Sequence, residues 1–429
     1  MKSEDRMHQL PFHISLLRSA TLPDGTVRDV EINGNRVGRV VAAGQGRPSG
    51  SGAEIDLSGF MLLPAPAEPH AHFDKAFSAE AIRPPLGNLR DAIEAWRRHA
   101  STMTVDDIRG RALEAALTLL ANGTTSVRCH VDVLLGDTPL RGVEALVAVR
   151  QELEGLMDLE LVALAGSEVP DADIEAALDL GVDLVGGSPH LSADPFADLR
   201  RLITLAERRG VGVDLHTDES LDGELTIVEF ARLVREWPAG RMRTAGHCVR
   251  LGTLEPEGLH GVIDEILASD LGIVTLPITN LYLQGWDHPA STPRGLTAVR
   301  TLLDRGARLG AGADNVRDPF NPVGRSDAFE TAGLLVVAAH LTPAEAYQAV
   351  SGGARSVMGM PAAGPVEGAD AELVAIRGTS IGDVVANASP DRYVIHAGRL
   401  VAHSEISRRI ATPASLRQLS APMEPRYSA

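Results

Sequence analysis

Short apolar, strand-like stretches alternate with amphipathic segments through the middle of this chain, and no other feature constrains the fold as strongly. Eight stretches can be read in order: Leu62–Pro66, Thr125–His130, Leu159–Ala165, Val182–Gly186, Val211–His216, Arg243–His247, Leu271–Leu276 and Arg308–Ala313. Segments such as Leu89-Arg-Asp-Ala-Ile-Glu-Ala-Trp-Arg-Arg and Leu199-Arg-Arg-Leu-Ile-Thr-Leu-Ala-Glu-Arg separate them with a helical apolar period. Strands joined through helices form parallel sheets, because a parallel connection must cross over. Eight βα units are the complement of a (β/α)8 barrel. A doubly wound open sheet is the alternative. It lacks support, because no Gly-x-Gly-x-x-Gly follows the first strand, and Gly310-Ala-Gly312 comes late and lacks the third glycine.

The 429 residues leave room for an accessory unit. Residues 11 to about 64 alternate β-like stretches with Gly-rich turns, as in His13-Ile-Ser-Leu-Leu, Thr26-Val-Arg-Asp-Val-Glu-Ile and Arg36-Val-Gly-Arg-Val-Val. Ala371-Glu-Leu-Val-Ala-Ile and Arg392-Tyr-Val-Ile-His-Ala-Gly-Arg-Leu-Val-Ala402 repeat that texture near the other end. A small antiparallel β-sandwich is therefore expected from residues 1–64 together with 368–429, with a polar tail after about 405. The barrel is expected over 65–367.

Composition narrows the partners. A net charge of −17 repels phosphate backbones and anionic lipid surfaces, which excludes a nucleic-acid polymer and a membrane as expected partners. The longest apolar runs are strand-sized or broken by Gly, Pro and charge, and Met1-Lys-Ser-Glu-Asp-Arg-Met-His has no signal-like apolar core. A cytoplasmic protein is expected. Cys129 and Cys248 each lie in an apolar segment beside a histidine, and no Cys-x-x-Cys occurs. They read as buried thiols in a reducing compartment.

The chemistry of a (β/α)8 barrel sits at the carboxyl ends of its strands. His70 and His72 stand two residues apart after an apolar run, and residues two apart on a strand face the same way. Strand two adds His130 and Asp132, strand four His190, strand five His216 followed by Asp218 and Glu219, strand six His247, and strand eight Asp314. Six of the 14 histidines thus fall at strand endings, a concentration that scatter would seldom produce. His70, His72, His216 and Asp314 make an N3O set suited to one divalent ion, Zn(II) or Fe(II), with a position left for water. Glu219 is the candidate proton shuttle. His247 could orient the nucleophile or a developing oxyanion, and Asp314 could also take a proton from the attacking water.

These residues sit in motifs that resemble the amidohydrolase superfamily, and within it the cytosine deaminase-like branch. The motifs are Glu68-Pro-His-Ala-His-Phe-Asp-Lys, Arg128-Cys-His-Val-Asp-Val, Gly186-Gly-Ser-Pro-His, Asp214-Leu-His-Thr-Asp-Glu, Ala245-Gly-His-Cys, Leu281-Tyr-Leu-Gln-Gly and Gly312-Ala-Asp-Asn-Val-Arg-Asp-Pro-Phe. The resemblance implies one catalytic metal on His70, His72, His216 and Asp314, Glu219 as shuttle, His247 beside the nucleophile, and the terminal β-sandwich. Two departures bear on the substrate. Cytosine-directed members carry a Phe-Pro-Gln-Glu stretch after strand three, whose glutamine reads the pyrimidine edge, where this chain has Leu164-Ala-Gly-Ser-Glu-Val with no glutamine. They also carry two aspartates where this chain has Asp314-Asn315. The His-Phe-Asp-Lys75 ending looks more like relatives that hydrolyse amino-substituted triazines. No lysine at strand four suggests a bridging carbamate, so a two-metal site is not expected.

Substrate contacts are expected from Gln284, His130, Asp132, His190, Asn315 and Ser167. Gln284 reads equally as a loop cap, His130 and Asp132 read equally as supports behind the site, and Lys75 either neutralises charge near the site or forms a surface salt bridge. The expected activity is metal-dependent hydrolytic deamination of a small nitrogen heterocycle, a cytosine-like ring, aminopyrimidine, pterin or triazine. Hydrolysis of a cyclic amide or an N-alkylamino-triazine bond is the alternative within enzymes. A non-catalytic binding protein on the same fold is disfavoured because no ligand is missing. A homo-oligomer is left open.

Overall fold

The computed structural model describes residues 10–83, 87–407 and 409. The expected tail falls, from residue 410 on, outside them. The N-terminal part forms β1 (Phe12–Thr21), β2 (Val27–Asn33), β3 (Arg36–Ala42), β4 (Ala53–Asp56) and β5 (Phe60–Pro64). Then come β6 (Ala67–Ala71), β7 (Ser126–Asp132), β8 (Asp158–Ala165), β9 (Leu184–Gly187), β10 (Gly212–Thr217), β11 (Arg243–His247), β12 (Gly272–Thr275) and β13 (Leu309–Ala311). Each of these eight pairs in parallel with the next. Three further strands follow, β14 (Leu373–Arg377), β15 (Arg392–His396) and β16 (Arg399–Ser404).

The eight parallel strands, with helices such as Val105–Ala121, Pro195–Arg209 and Pro256–Ser269 between them, are the (β/α)8 barrel. Seven of the expected strand stretches coincide with β7 to β13 within two residues. The first does not. Phe60–Pro64 pairs with β14 and β1, not with the barrel, and β6 begins only at Ala67. Two buried strands from two sheets follow one another with Ala65 and Pro66 alone between them. The apolar run therefore carries no internal boundary except its prolines.

β14 and β5 explain why that run is apolar on both faces. Leu373, Ala375, Phe60 and Leu62 face the core of the composite sheet, while Val374, Ile376, Met61 and Leu63 join the core that fills the barrel and its helices. The composite sheet runs β16-β15-β14-β5-β1-β2-β3, with β4 also on β1, and β16 returns to pair with β1 through Phe12 and Leu400. The expected sandwich is thus one sheet rolled on itself. It is mixed, because β4 and β5 lie parallel to β1.

The barrel closes through a thin seam. β13 meets β6 at a single parallel bridge, Ala71 to Asp314. The buried Glu68 reinforces it: one carboxylate oxygen accepts the Ala313 N–H at 2.8 Å, the other the His70 N–H at 3.1 Å. A Cβ at Gly312 would collide with that carboxylate, so the seam needs glycine there. Among the described residues, no helix is long and apolar enough to cross a membrane.

Candidate active site

The barrel delivers the singled-out residues to one end. His70 lies in β6 and His72 just past it, His216 lies in β10, His247 ends β11, and Asp314 follows β13. His216 Nε2 stands 3.2 Å from both His70 Nε2 and His72 Nε2. Asp314 Oδ1 is 3.3 Å from His72 Nε2 and 3.9 Å from His70 Nε2. Glu219 Oε1 approaches His247 Nδ1 at 3.3 Å, and that same nitrogen lies 3.9 Å from Asp314 Oδ2. Four imidazoles and two carboxyls therefore share one buried cluster.

The backbone is bent to achieve this. Asp218, His247 and Asp314 hold φ values of +47°, +66° and +68°, a region that costs a non-glycine residue roughly 1–3 kcal/mol. The turn at Asp218 is fixed by its carboxylate. It accepts the backbone N–H groups of Thr226 and Ile227 and the Thr226 hydroxyl, capping the helix Thr226–Val234. Glu219 is aimed inward as a result. The Gln284 amide donates to the Glu219 carbonyl at 2.7 Å and ties down the next residue of that turn.

Other expected residues stand at different depths. His130 is fully buried behind His70, ring centroids 4.0 Å apart, with its Nε2 3.5 Å from Asp214. Asp214 in turn accepts from Arg128, itself buried inside the barrel and bonded to Glu160. His190, on a single 3-10 turn after β9, bonds the His216 carbonyl region through Nδ1 at 3.2 Å and lies 3.9 Å from Glu219. Asp132 accepts from Lys75 Nζ at 2.7 Å and from Trp96 Nε1 at 2.5 Å. Asn315 donates to Asp318 at 2.7 Å.

A cavity of about 340 Å3 opens above the cluster. Its floor is His72, His216, Glu219, His247 and Asp314, and its walls include Lys75, Asp132, Trp96, Ser167, Asn315 and Phe320. His130, His190 and Gln284 do not reach its surface. Sequence reasoning missed Asn280, whose amide nitrogen is 3.0 Å from His247 Nδ1, and Trp96. It also passed over Glu68, although Glu68, His70 and His72 share one strand face by the same two-residue period.

Burial drives the electrostatics. It lifts Glu219 to about 8 and Glu68 to about 8, and pushes Asp314 well above the usual carboxylate range, with Glu219, Asp318 and Glu68 adding repulsion. Burial likewise lowers His70, His72, His216 and His247 well below their ordinary value, aided at all four by the fields of neighbouring imidazoles. The cluster by itself disfavours every charge it would carry. Both Asp314 oxygens are buried and have no hydrogen-bond partner among the described residues. Buried polar atoms are normally satisfied, and a cation among three imidazole nitrogens and this carboxylate would satisfy them and reverse the local bias. His70, His247 and Asp314 form one group close enough to hold an ion, and His70, His130 and His216 form another. The donor set fits a divalent metal.

The chain matches the amidohydrolase family over residues 86–402 and belongs to it, as a hydrolytic enzyme that acts on carbon–nitrogen bonds. The relatives lie in the branch that the motifs resemble. The pterin deaminase of Rhizobium rhizogenes is 30% identical over 365 residues, 82% of this chain and 83% of the relative. The N-isopropylammelide isopropyl amidohydrolase of Pseudomonas sp. is 28% identical over 332 residues, 74% of this chain and 78% of the relative. A crystal structure of 5-methylcytosine deaminase from Klebsiella pneumoniae, liganded with 5-fluorocytosine, has a TM-score of 0.83 at 25% identity. It covers 92% of this chain and 99% of its own.

Proposed function

We propose that this protein is a metal-dependent deaminase of a small nitrogen heterocycle, removing an exocyclic amino group from a cyclic amidine as ammonia. The observation that carries the reading is the convergence of His70, His72 and His216 with the unpartnered Asp314, at a cavity whose floor also carries the buried Glu219. His70, His72, His216 and Asp314 would hold one divalent ion, Zn(II) or Fe(II). When bound, such an ion acidifies water and polarises the carbon under attack.

The side chains supply the rest. Burial, which lifts the Glu219 carboxyl to about 8, favours its protonated form, and from that form it can give a proton to the ring nitrogen of the amidine. It then recovers one from the attacking water and passes it to the departing amine, as a general acid–base should. His247 presents Nδ1 toward Glu219 and Asp314, and Asn280 holds that ring in place. It would orient the attacking water. The cavity's apolar wall, with Trp96, Ile93, Leu283 and Phe320, suits a flat ring and keeps bulk water away from it. The pterin deaminase, 5-methylcytosine deaminase and N-isopropylammelide isopropyl amidohydrolase named above support a heterocyclic substrate.

The Pseudomonas relative favours a second reading, release of an alkylamine from an N-alkylamino ring by the same site. The test is product analysis with protein loaded with Zn(II) or Fe(II) and offered aminated pyrimidines, pterins and triazines together with their N-alkylamino counterparts. Ammonia with an intact ring supports deamination. Alkylamine release alone supports the second reading, and silence across the panel with metal bound refutes both.

A further inference from the structure

One buried cation on the cavity wall has no part in the reaction outlined above. Lys75 is 4% exposed and lines the cavity. Its Nζ lies 2.7 Å from Asp132 Oδ1, 3.4 Å from Asp74 Oδ2 and 3.4 Å from His72 Nδ1. Asp132 is itself held on its other oxygen by Trp96, and Asp74 accepts the Asp132 backbone N–H at 3.1 Å. The ammonium also sits 5.1 Å from the centre of the Trp96 ring. Two carboxylates and an indole thus fix both its position and its charge.

The two other Lys or Arg side chains on the cavity wall are not comparable. Arg97 is 59% exposed at the mouth. Arg141 is spent on the carbonyls of Ser101 and Met103. Lys75 stands on the Nδ1 side of the His72 imidazole, one ring width from the Nε2 that faces the donor cluster. Lys75 and the cluster residues His72, His216 and Asp314 line the same cavity, so a ring held there is flanked by both.

Resting on the deaminase reading, we infer that Lys75 is a specificity-determining substrate contact: its ammonium donates to a ring oxygen, so the site selects amino-oxo heterocycles over rings bearing amino groups alone. An oxo group conjugated with the amidine gains negative charge as the nucleophile adds, and a fixed cation strengthens its hold at that moment. No glutamine is needed to read that edge.

The experiment compares kcat/KM for matched rings, an aminopyrimidinone, aminopteridinone or aminotriazinone against the counterpart lacking only the oxygen, in wild type, Lys75→Met and Lys75→Arg. The ratio within one preparation is insensitive to the fraction folded, which matters because Lys75→Met leaves two acidic groups behind. In Lys75→Met the preference for the oxo ring should fall roughly ten- to a hundred-fold, the weight of one charged hydrogen bond, and Lys75→Arg should restore part of it. An unchanged ratio overturns the inference and leaves Lys75 a neutraliser of Asp74 and Asp132. Calorimetry on zinc-loaded protein with pyrimidinone and pyrimidine, neither of which carries an amino group, separates this from failure of the deaminase reading. Tighter binding of pyrimidinone that is lost in Lys75→Met supports the contact even if no ring is deaminated, and equal binding of the two in wild type overturns it.

Discussion

In the proposed reaction Glu219 concentrates the chemistry in one side chain. Among the described residues none donates a hydrogen bond to its carboxyl, and burial alone raises it. Glu219→Gln keeps size and removes the transferable proton, so kcat should fall by about 10²- to 10⁴-fold with metal content unchanged. Steady-state kinetics beside metal analysis checks this, and wild-type turnover in the variant would remove the shuttle role. Asp314→Asn differs, because it takes the carboxylate from the donor set. The variant should purify with less bound metal, read by elemental analysis. At this scale the strand-end residues His72, His216, His247 and Asp314 were legible, because strand order alone brings those ends together, whereas His130 and His190 stop short of the cavity at depths the pattern does not specify. Asn280 and Trp96 were not legible. Each reaches the site from a helix, Pro277–Leu283 or Leu89–Ala100, whose rotation about its own axis the one-dimensional pattern does not specify.

Among the elements, the turn after β10 couples stability to catalysis. The Asp218 carboxylate satisfies two backbone donors at the start of the helix Thr226–Val234 while its own backbone sits at positive φ. Asp218→Ala should cost about 1–2 kcal/mol, the usual weight of an N-cap, read as a lower denaturation midpoint in urea. It should also slow turnover, since Glu219 is the next residue. An unchanged kcat would mean that Gln284 alone holds the turn. Strand existence was readable because eight apolar stretches alternate with amphipathic ones. Strand ownership was not: β5 and β6 are both buried, and the choice between two sheets is made by partners far along the chain, Leu373 to Arg377 among them.

At the scale of the whole molecule, the composite sheet touches the foot of the barrel through charged groups. His396 bonds Glu372 at 2.9 Å and lies 4.0 Å from Asp158 on β8. Burial opposes its charge, but those two acids outweigh burial and raise it above the ordinary 6.5. A raised folded-state value stabilises fully below the unfolded value and fades as pH climbs through the folded one. Thermal unfolding of wild type should therefore lose midpoint above pH 6.5 relative to His396→Gln, and parallel profiles would dismiss the effect. Metal should act on the same scale. With free ion at 1,000 times its dissociation constant, a native-only site adds about 4 kcal/mol, so stripping with a chelator should lower the melting midpoint.

The seam between β13 and β6 gives that ion a second consequence. His70 and His72 stand on one side of it and Asp314 on the other, while only one bridge and the Glu68 carboxylate join the two. An ion held by all three acts as a clasp on a stave vessel, and the clasp should be visible in deuterium uptake. Amide protons of His70 and Ala313 should exchange faster after chelation, whereas those of β8 and β9, laced by a continuous ladder, should keep their pace.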